Sequence, residues 1–187
     1  MIYEAVITTR NEDGSDRIAP LGYQEEEGLI ILSPFSPSTT LRNLERTHQA
    51  VLNMTDNVAV IAGCLTGHHE WPLVPAEKIP GSRLEDTLAH RELKVERIEE
   101  DNIRPRFYCR ILHEKVHKPF RGFNRAKNAV LEAAILVSRL HMLPTEKIDA
   151  EIEYLKIAID KTAGEQEQRA WNWLMERISD YREGREK

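Results

Sequence analysis

The chain has 187 residues, 41% of them hydrophobic and 30% charged, with a net charge of −5. That suits one domain, or a domain with a small appendage, around a real core; the acidic balance argues against a general nucleic-acid footprint, and no apolar run nears the ~18 residues of a membrane span. The only two cysteines, Cys64 and Cys109, are far apart and form no Cys-x-x-Cys pair, so neither a disulfide framework nor a zinc site is expected, and both read as buried small hydrophobes in a reducing cytoplasm.

Residues 2–9 are rich in β-branched side chains and predict a strand at the very start, with no charged-then-apolar leader before it. Asn11-Glu12-Asp13-Gly14-Ser15 is a turn, and 17–24 is the return strand. Pro20 lies inside that strand and cannot donate to a ladder, which marks an edge, a bulge or an opening in the sheet. Gly22 beside it lets another group approach the backbone closely. A plain strand bulge and a flat ring lying against the stretch both satisfy these two residues.

Residues 28–33 form a third strand, ending in Ser33-Pro34. After Pro37 comes Ser38-Thr39-Thr40-Leu41-Arg42-Asn43-Leu44, in which Ser38 or Thr39 caps a helix. A helix start bearing hydroxyls and an arginine is a natural seat for a phosphate; an ordinary capped helix between two strands is the plainer alternative. Residues 50–54 are a fourth strand, and Thr55-Asp56-Asn57 caps a short helix over 58–65. The stretch 67–80 is irregular. It carries the pair His68-His69, which lacks the further convergent ligands a metal site needs. Residues 92–99 and 106–116 alternate and pair as a hairpin through Glu100-Asp101-Asn102. Six strands with short helices between them fit a small closed barrel.

Composition then shifts. Residues 126–143 are apolar on nearly every face and predict a helix buried on more than one side. Pro144 ends it, and Thr145 is placed to cap the next, striped by Ile148, Ile152, Leu155 and Ile159 and stopped by Gly164. Trp171, Leu174, Ile178 and Tyr181 stripe a third. The reading is an α+β protein: a barrel domain over 1–120 and a three-helix domain over 121–187.

Between Lys115 and Leu131 there is no acidic residue, but there are Lys115, Lys118, Arg121, Arg125 and Lys127. This is either a solvated positive face or a phosphate-facing edge. No catalytic triad, acid–base pair or glycine-rich nucleotide loop is present. Phe120 and Phe123 read as core or ring-stacking residues. His90, His113, His117 and His141 are each isolated in sequence and receive no role.

Four stretches carry a resemblance: 3–10 with Asp13-Gly14, Ile18-Ala19-Pro20-Leu21-Gly22, the Thr-Leu-Arg-Asn-Leu segment with Val51-Leu52-Asn53, and Pro119-Phe120-Arg121-Gly122-Phe123-Asn124-Arg125-Ala126-Lys127. Together they resemble the flavin reductase-like FMN-binding split barrel, in its branch known as domain-of-unknown-function family number 447. The resemblance implies an FMN-binding split barrel with a helical C-terminal addition, working as a homodimer with the flavin at the subunit interface, and no settled reaction. It implies Thr39, Thr40, Arg42 and Asn43 at the phosphate and ribityl end. Ala19, Pro20, Leu21 and Gly22 would flank the ring with Asn53 on the neighbouring strand, and Arg121, Asn124 and Lys127 would come from a partner or an adjacent loop. The expected activity is transfer of hydride or electrons from a reduced nicotinamide to an acceptor, the flavin supplying the chemistry. A non-enzymatic flavin carrier or assembly partner is the main rival, and a module for another phosphorylated or pterin-like ring is a third. No metal and no catalytic side chain are assigned.

Overall fold

The computed structural model describes residues 1–185. They fall into two compact units: residues 1–55 with 71–120, and residues 56–70 with 121 onward. The first is a six-stranded closed barrel, as the six predicted strands imply. Its strands are β1 (Tyr3–Arg10), β2 (Asp16–Glu26), β3 (Leu29–Leu32), β4 (Gln49–Met54), β7 (Ala89–Glu99) and β8 (Arg106–Val116), in the order β1-β2-β3-β8-β7-β4, all antiparallel.

Strand side chains point alternately to the two faces, and here the inner face is the core. Ala5 and Ile7 of β1, Tyr23 of β2, Ile30 and Leu32 of β3, Ala50 and Leu52 of β4, Leu93 and Val95 of β7, and Phe107 and Cys109 of β8 form one buried cluster. Leu41 and Leu44 of helix α1 (Thr39–Thr47) close it. Gly14 takes φ 83° in the β1–β2 turn. Asn11 accepts the Gly14 N–H and donates its own to Ser15 O.

The stretch 67–80, read as irregular, carries one strand of a short ribbon, whose other strand lies just beyond it. β5 (Leu73–Pro75) pairs with β6 (Ser82–Leu84), an element too short to leave a periodic signature. The ribbon covers outward-facing residues of the barrel. Asn53 on β4 accepts the Leu84 N–H at 2.8 Å and donates to Val6 O and to Thr8 Oγ1. Glu92 on β7 accepts the backbone N–H groups of Glu77, Lys78 and Ile79 at 2.6–2.9 Å. Both side chains are fully buried, as the outer face of an uncovered barrel would not be.

The second unit is helical: α2 (Val58–Leu65), α3 (Arg125–Val137), α4 (Thr145–Thr162) and α5 (Glu165–Arg182). α2 is apolar throughout and packs with α3 and α5, so a segment within the stretch read as barrel belongs to the helical unit. α3 ends at Val137 rather than 143, and turns occupy 138–143. Thr145 is the first residue of α4 and makes no side-chain cap; Pro144 holds the cap position. Gly164 is the cap residue of α5, and its N–H is taken by Glu167. Of the predicted stripes, Ile148, Ile159, Trp171, Leu174 and Ile178 are buried. Cys109 is buried as expected, whereas Cys64 is only half-buried. Phe120 and Phe123 are exposed, which removes them from either core. No helix among the described residues is long and apolar enough to cross a membrane.

Candidate functional site

The N-terminus of α1 has the form expected for an anion seat. Ser38, in an extended conformation, accepts the Leu41 N–H on its Oγ at 3.1 Å, and its carbonyl accepts the Arg42 N–H. Four N–H groups at a helix start lack intrahelical partners; the cap takes that of Leu41 and leaves those of Thr39 and Thr40 at the tip. No acidic residue lies in the first turn, so the positive end of the helix dipole is uncompensated. Arg42 is exposed, and its Nη2 donates to Thr39 Oγ1 at 3.1 Å, which holds the guanidinium at the helix tip.

The loop that delivers α1 is stitched to the β7–β8 turn. Ser36 N donates to Ile103 O, and the Arg104 guanidinium donates twice to Ser33 O while lying 4.3 Å from the Phe35 ring centre. Asp101 Oδ1 in turn accepts the N–H groups of Arg104 and Ile103, which hold its carboxyl below the usual aspartate range.

The other predicted residues divide. Asn43 is buried and donates to Thr9 Oγ1 at 3.1 Å and to Asn11 Oδ1 at 2.7 Å, so its amide joins α1 to the end of β1. Asn53 has no exposed surface, and its amide is spent between β1, β4 and Leu84. Ala19, Pro20, Leu21 and Gly22 pair with Ile7, Val6, Ala5 and Glu4 of β1. On its other side β2 pairs with β3 only from Tyr23 onward. The proline therefore sits where β2 has a ladder partner on one side, an edge of the kind its missing N–H demands. A Cβ on Gly22 would meet Ile2 Cγ2 at 2.9 Å, so the close approach that glycine permits is made here by Ile2.

In the basic segment, Asn124 caps α3. Its Oδ1 accepts the Lys127 N–H, and its Nδ2 donates to Thr162 O. Lys127 Nζ is paired with Asp56, Lys115 with Glu77 and Lys118 with Asp86. Arg121 is exposed. The local charge excess is thus largely balanced by acidic groups distant in sequence.

One cluster was not legible in the sequence. His90 and His113, isolated in sequence, meet around Glu92, and His117 lies against His90. His90 Nε2 lies 3.3 Å from Glu92 Oε1, and His90 Nδ1 lies 2.9 Å from His117 Nε2. His113 stands opposite Glu92 in the β7–β8 ladder. Burial pushes the His90 and His117 imidazoles down toward the neutral form. Burial acts to raise Glu92, but the N–H groups of Glu77 and Lys78, with His90 and the Ile79 N–H, outweigh it, and its carboxyl stays below the ordinary range. The alternation of β7 was the available signal, since His90 and Glu92 are two apart and share a face. His68, by contrast, stacks on Trp173 with ring centres 4.0 Å apart.

Comparison with known proteins places this fold. Two family models, the N-terminal domain and the remaining part of the "Protein of unknown function (DUF447)" family, match residues 3–118 and 124–176. The chain belongs to the DUF447 family. Among solved structures, an FMN-bound DUF447 protein from Methanosarcina mazei superposes with a TM-score of 0.80 at 19% identity, covering 94% of each chain. The 2-nitrobenzoate 2-nitroreductase of Pseudomonas fluorescens superposes with a TM-score of 0.52 at 21% identity, covering 61% of this chain and 64% of its own. An NADH:FAD oxidoreductase of Streptomyces globisporus gives 0.53 at 12% identity, covering 61% and 75%. The DUF447 relative matches over nearly the whole chain, and the other two over about three fifths of it. No curated protein matches the sequence.

Proposed function

We propose that this DUF447 protein binds FMN and uses it in an oxidoreductase reaction, taking hydride or electrons from a reduced nicotinamide and passing them to an acceptor. The observation that carries the flavin reading is the α1 tip, with the Thr39 and Thr40 N–H groups outside the cap, no acidic residue in the first turn and Arg42 held against Thr39. Its support is the FMN-bound relative, which shares the fold over nearly the whole chain. The tip fits a phosphate monoester. Thr39, Thr40 and Arg42 would hold the phosphate, Asn43 would fix the helix that presents them, and the β2 edge at Ala19–Gly22 would lie along the ring. Bound FMN supplies the hydride chemistry, and the chain binds, orients and shields it.

In this reading the active form is a homodimer in the cytoplasm, and exposed Arg121 of a second copy completes the phosphate end. Asn53 supports the site by holding β4 to β1, while Asn124 and Lys127 order the start of α3. The test has two stages. Titration with FMN and with riboflavin reads phosphate recognition, and FMN should bind at one per chain and more tightly. Steady-state oxidation of NADH or NADPH by the loaded protein then reads turnover. Equal affinity for the two flavins rejects the phosphate seat; tight FMN binding without nicotinamide oxidation favours a carrier.

A further inference from the structure

The covered outer face of the barrel holds a second group of side chains with a chemistry of its own. His90 and Glu92 are fully buried, two residues apart on β7, and His113 faces Glu92 from β8. The lone-pair atoms of the three lie within 4.8 Å of one another. His113 Nε2 is buried and makes no hydrogen bond, although Glu77 Oε2 lies 3.4 Å away. A buried ring nitrogen without a partner is costly, and this one belongs to a cluster of two further metal-ligating groups.

We propose that His90, His113 and Glu92, closed by the Glu77 carboxylate, bind a divalent first-row transition ion of the zinc type as a structural clasp. Bonds of about 2.0–2.2 Å put neighbouring ligands roughly 3.3–3.5 Å apart around a tetrahedral ion. The His90 Nε2 to Glu92 Oε1 separation of 3.3 Å already meets this. It is also longer than the 2.7–2.9 Å typical of a charge-assisted hydrogen bond. His113 is half-buried and Glu77 exposed, so small side-chain rotations would close the remaining gaps. Two imidazoles and two carboxylates form a neutral sphere around a dication, with Lys115 balancing Glu77 from outside. Arg83, a cation that bears on both His90 and His117, directs its Nη1 to the Leu84 carbonyl.

His117 supplies the outer support. An imidazole that ligates through Nε2 carries its proton on Nδ1, and a partner at Nδ1 fixes that tautomer. His117 Nε2, 2.9 Å from His90 Nδ1, accepts that proton's hydrogen bond. His117 is itself anchored by its backbone N–H to Leu88 O at 2.7 Å. The clasp joins β7 and β8 to residues 77–79, whose N–H groups Glu92 already holds, so the ion would tie the ribbon to the barrel. This inference is independent of the flavin reading, since none of these residues lies at α1 or on β2.

The test uses the full chain, treated with a chelator and then titrated with Zn²⁺ for melting temperature and with Co²⁺ for visible absorption. The expected result is one ion per chain, a higher melting temperature, and the ligand-field bands of four-coordinate cobalt. His113→Ala should abolish the bands. Glu77→Ala, a change to an exposed side chain that spares the backbone N–H, should weaken binding without unfolding the chain. His117→Ala should cost about 10- to 100-fold in affinity, as loss of an outer-shell partner does. The double variant His68→Ala, His69→Ala should bind as the parent does. Absence of stoichiometric Co²⁺ binding by the folded parent overturns the proposal. So does binding that Glu77→Ala and His113→Ala both leave intact, or binding lost in the His68, His69 variant.

Discussion

Arg42 Nη2 donates to Thr39 Oγ1 across the first turn of α1, at 3.1 Å. The contact keeps a long, mobile side chain over the helix tip rather than out in solvent, close to where a phosphate would sit. A hydrogen bond to a charged group contributes roughly 1.5–3 kcal/mol, and each 1.4 kcal/mol is about tenfold in affinity. Arg42→Ala should therefore weaken FMN binding on the order of 10- to 100-fold and riboflavin binding much less, with an unchanged melting temperature of the ligand-free protein. Parallel losses for both ligands, together with a lower melting temperature, would assign Arg42 to holding the helix instead.

Asn53→Ala should be a stability mutation. The amide serves Val6 O, Thr8 Oγ1 and the Leu84 N–H with no exposed surface of its own. Each buried group left unsatisfied costs about 1–3 kcal/mol, so the loss should be on the order of 3 kcal/mol. Urea unfolding would read it as a lower midpoint at constant slope.

Asp101 links the turn to pH. Its carboxyl is held below the ordinary value of 3.8, first by the Arg104 N–H and then by that of Ile103. A group depressed in the folded state adds stability above its ordinary value and loses it as the pH falls through the depressed one. The parent should accordingly lose stability below about pH 4, and Asp101→Asn should flatten that part of the profile while losing some stability at neutral pH. Melting temperatures between neutral and acidic pH, compared for the two chains, check the sign.

The Cys109 thiol is buried in the barrel core, and burial pushes it up to about 12. Since the thiolate is the reactive form, Cys109 should resist alkylation in the native protein at mildly alkaline pH and react fully in denaturant. Peptide mass mapping after iodoacetamide treatment distinguishes it from half-buried Cys64. Native labelling of Cys109 would mean the barrel opens on the timescale of the reaction.

What could be read in advance followed local rules. Gly14 marked the first turn, the Ser38 cap marked α1, and β-branched runs and alternation marked barrel strands. Pro20 pointed to the one-sided stretch of β2. Features made by distant pairing stayed hidden. Nothing near Asn53 says that Leu84 will cover it, and nothing near His90 says that His113 of β8 and His117 just beyond it will come round. Three-residue strands such as β5 and β6 are too short for periodicity to declare them. At α1 the Ser38 cap was legible because a helix start is a local object. The contacts of Asn124 and Lys127 were not, since Thr162 and Asp56, which engage them, lie far off in the chain.

The origin of α2 has a consequence for how the protein is made. Its eight residues, Val58–Leu65, leave the ribosome some sixty positions before α3, the first of the helices they pack with. Throughout that interval the nascent chain carries a greasy segment whose partners do not yet exist. A product truncated near residue 120 would keep that segment permanently unmatched, and one begun near 121 would lack it. Neither half is therefore a clean module for expression, and premature termination should yield aggregates rather than a free barrel.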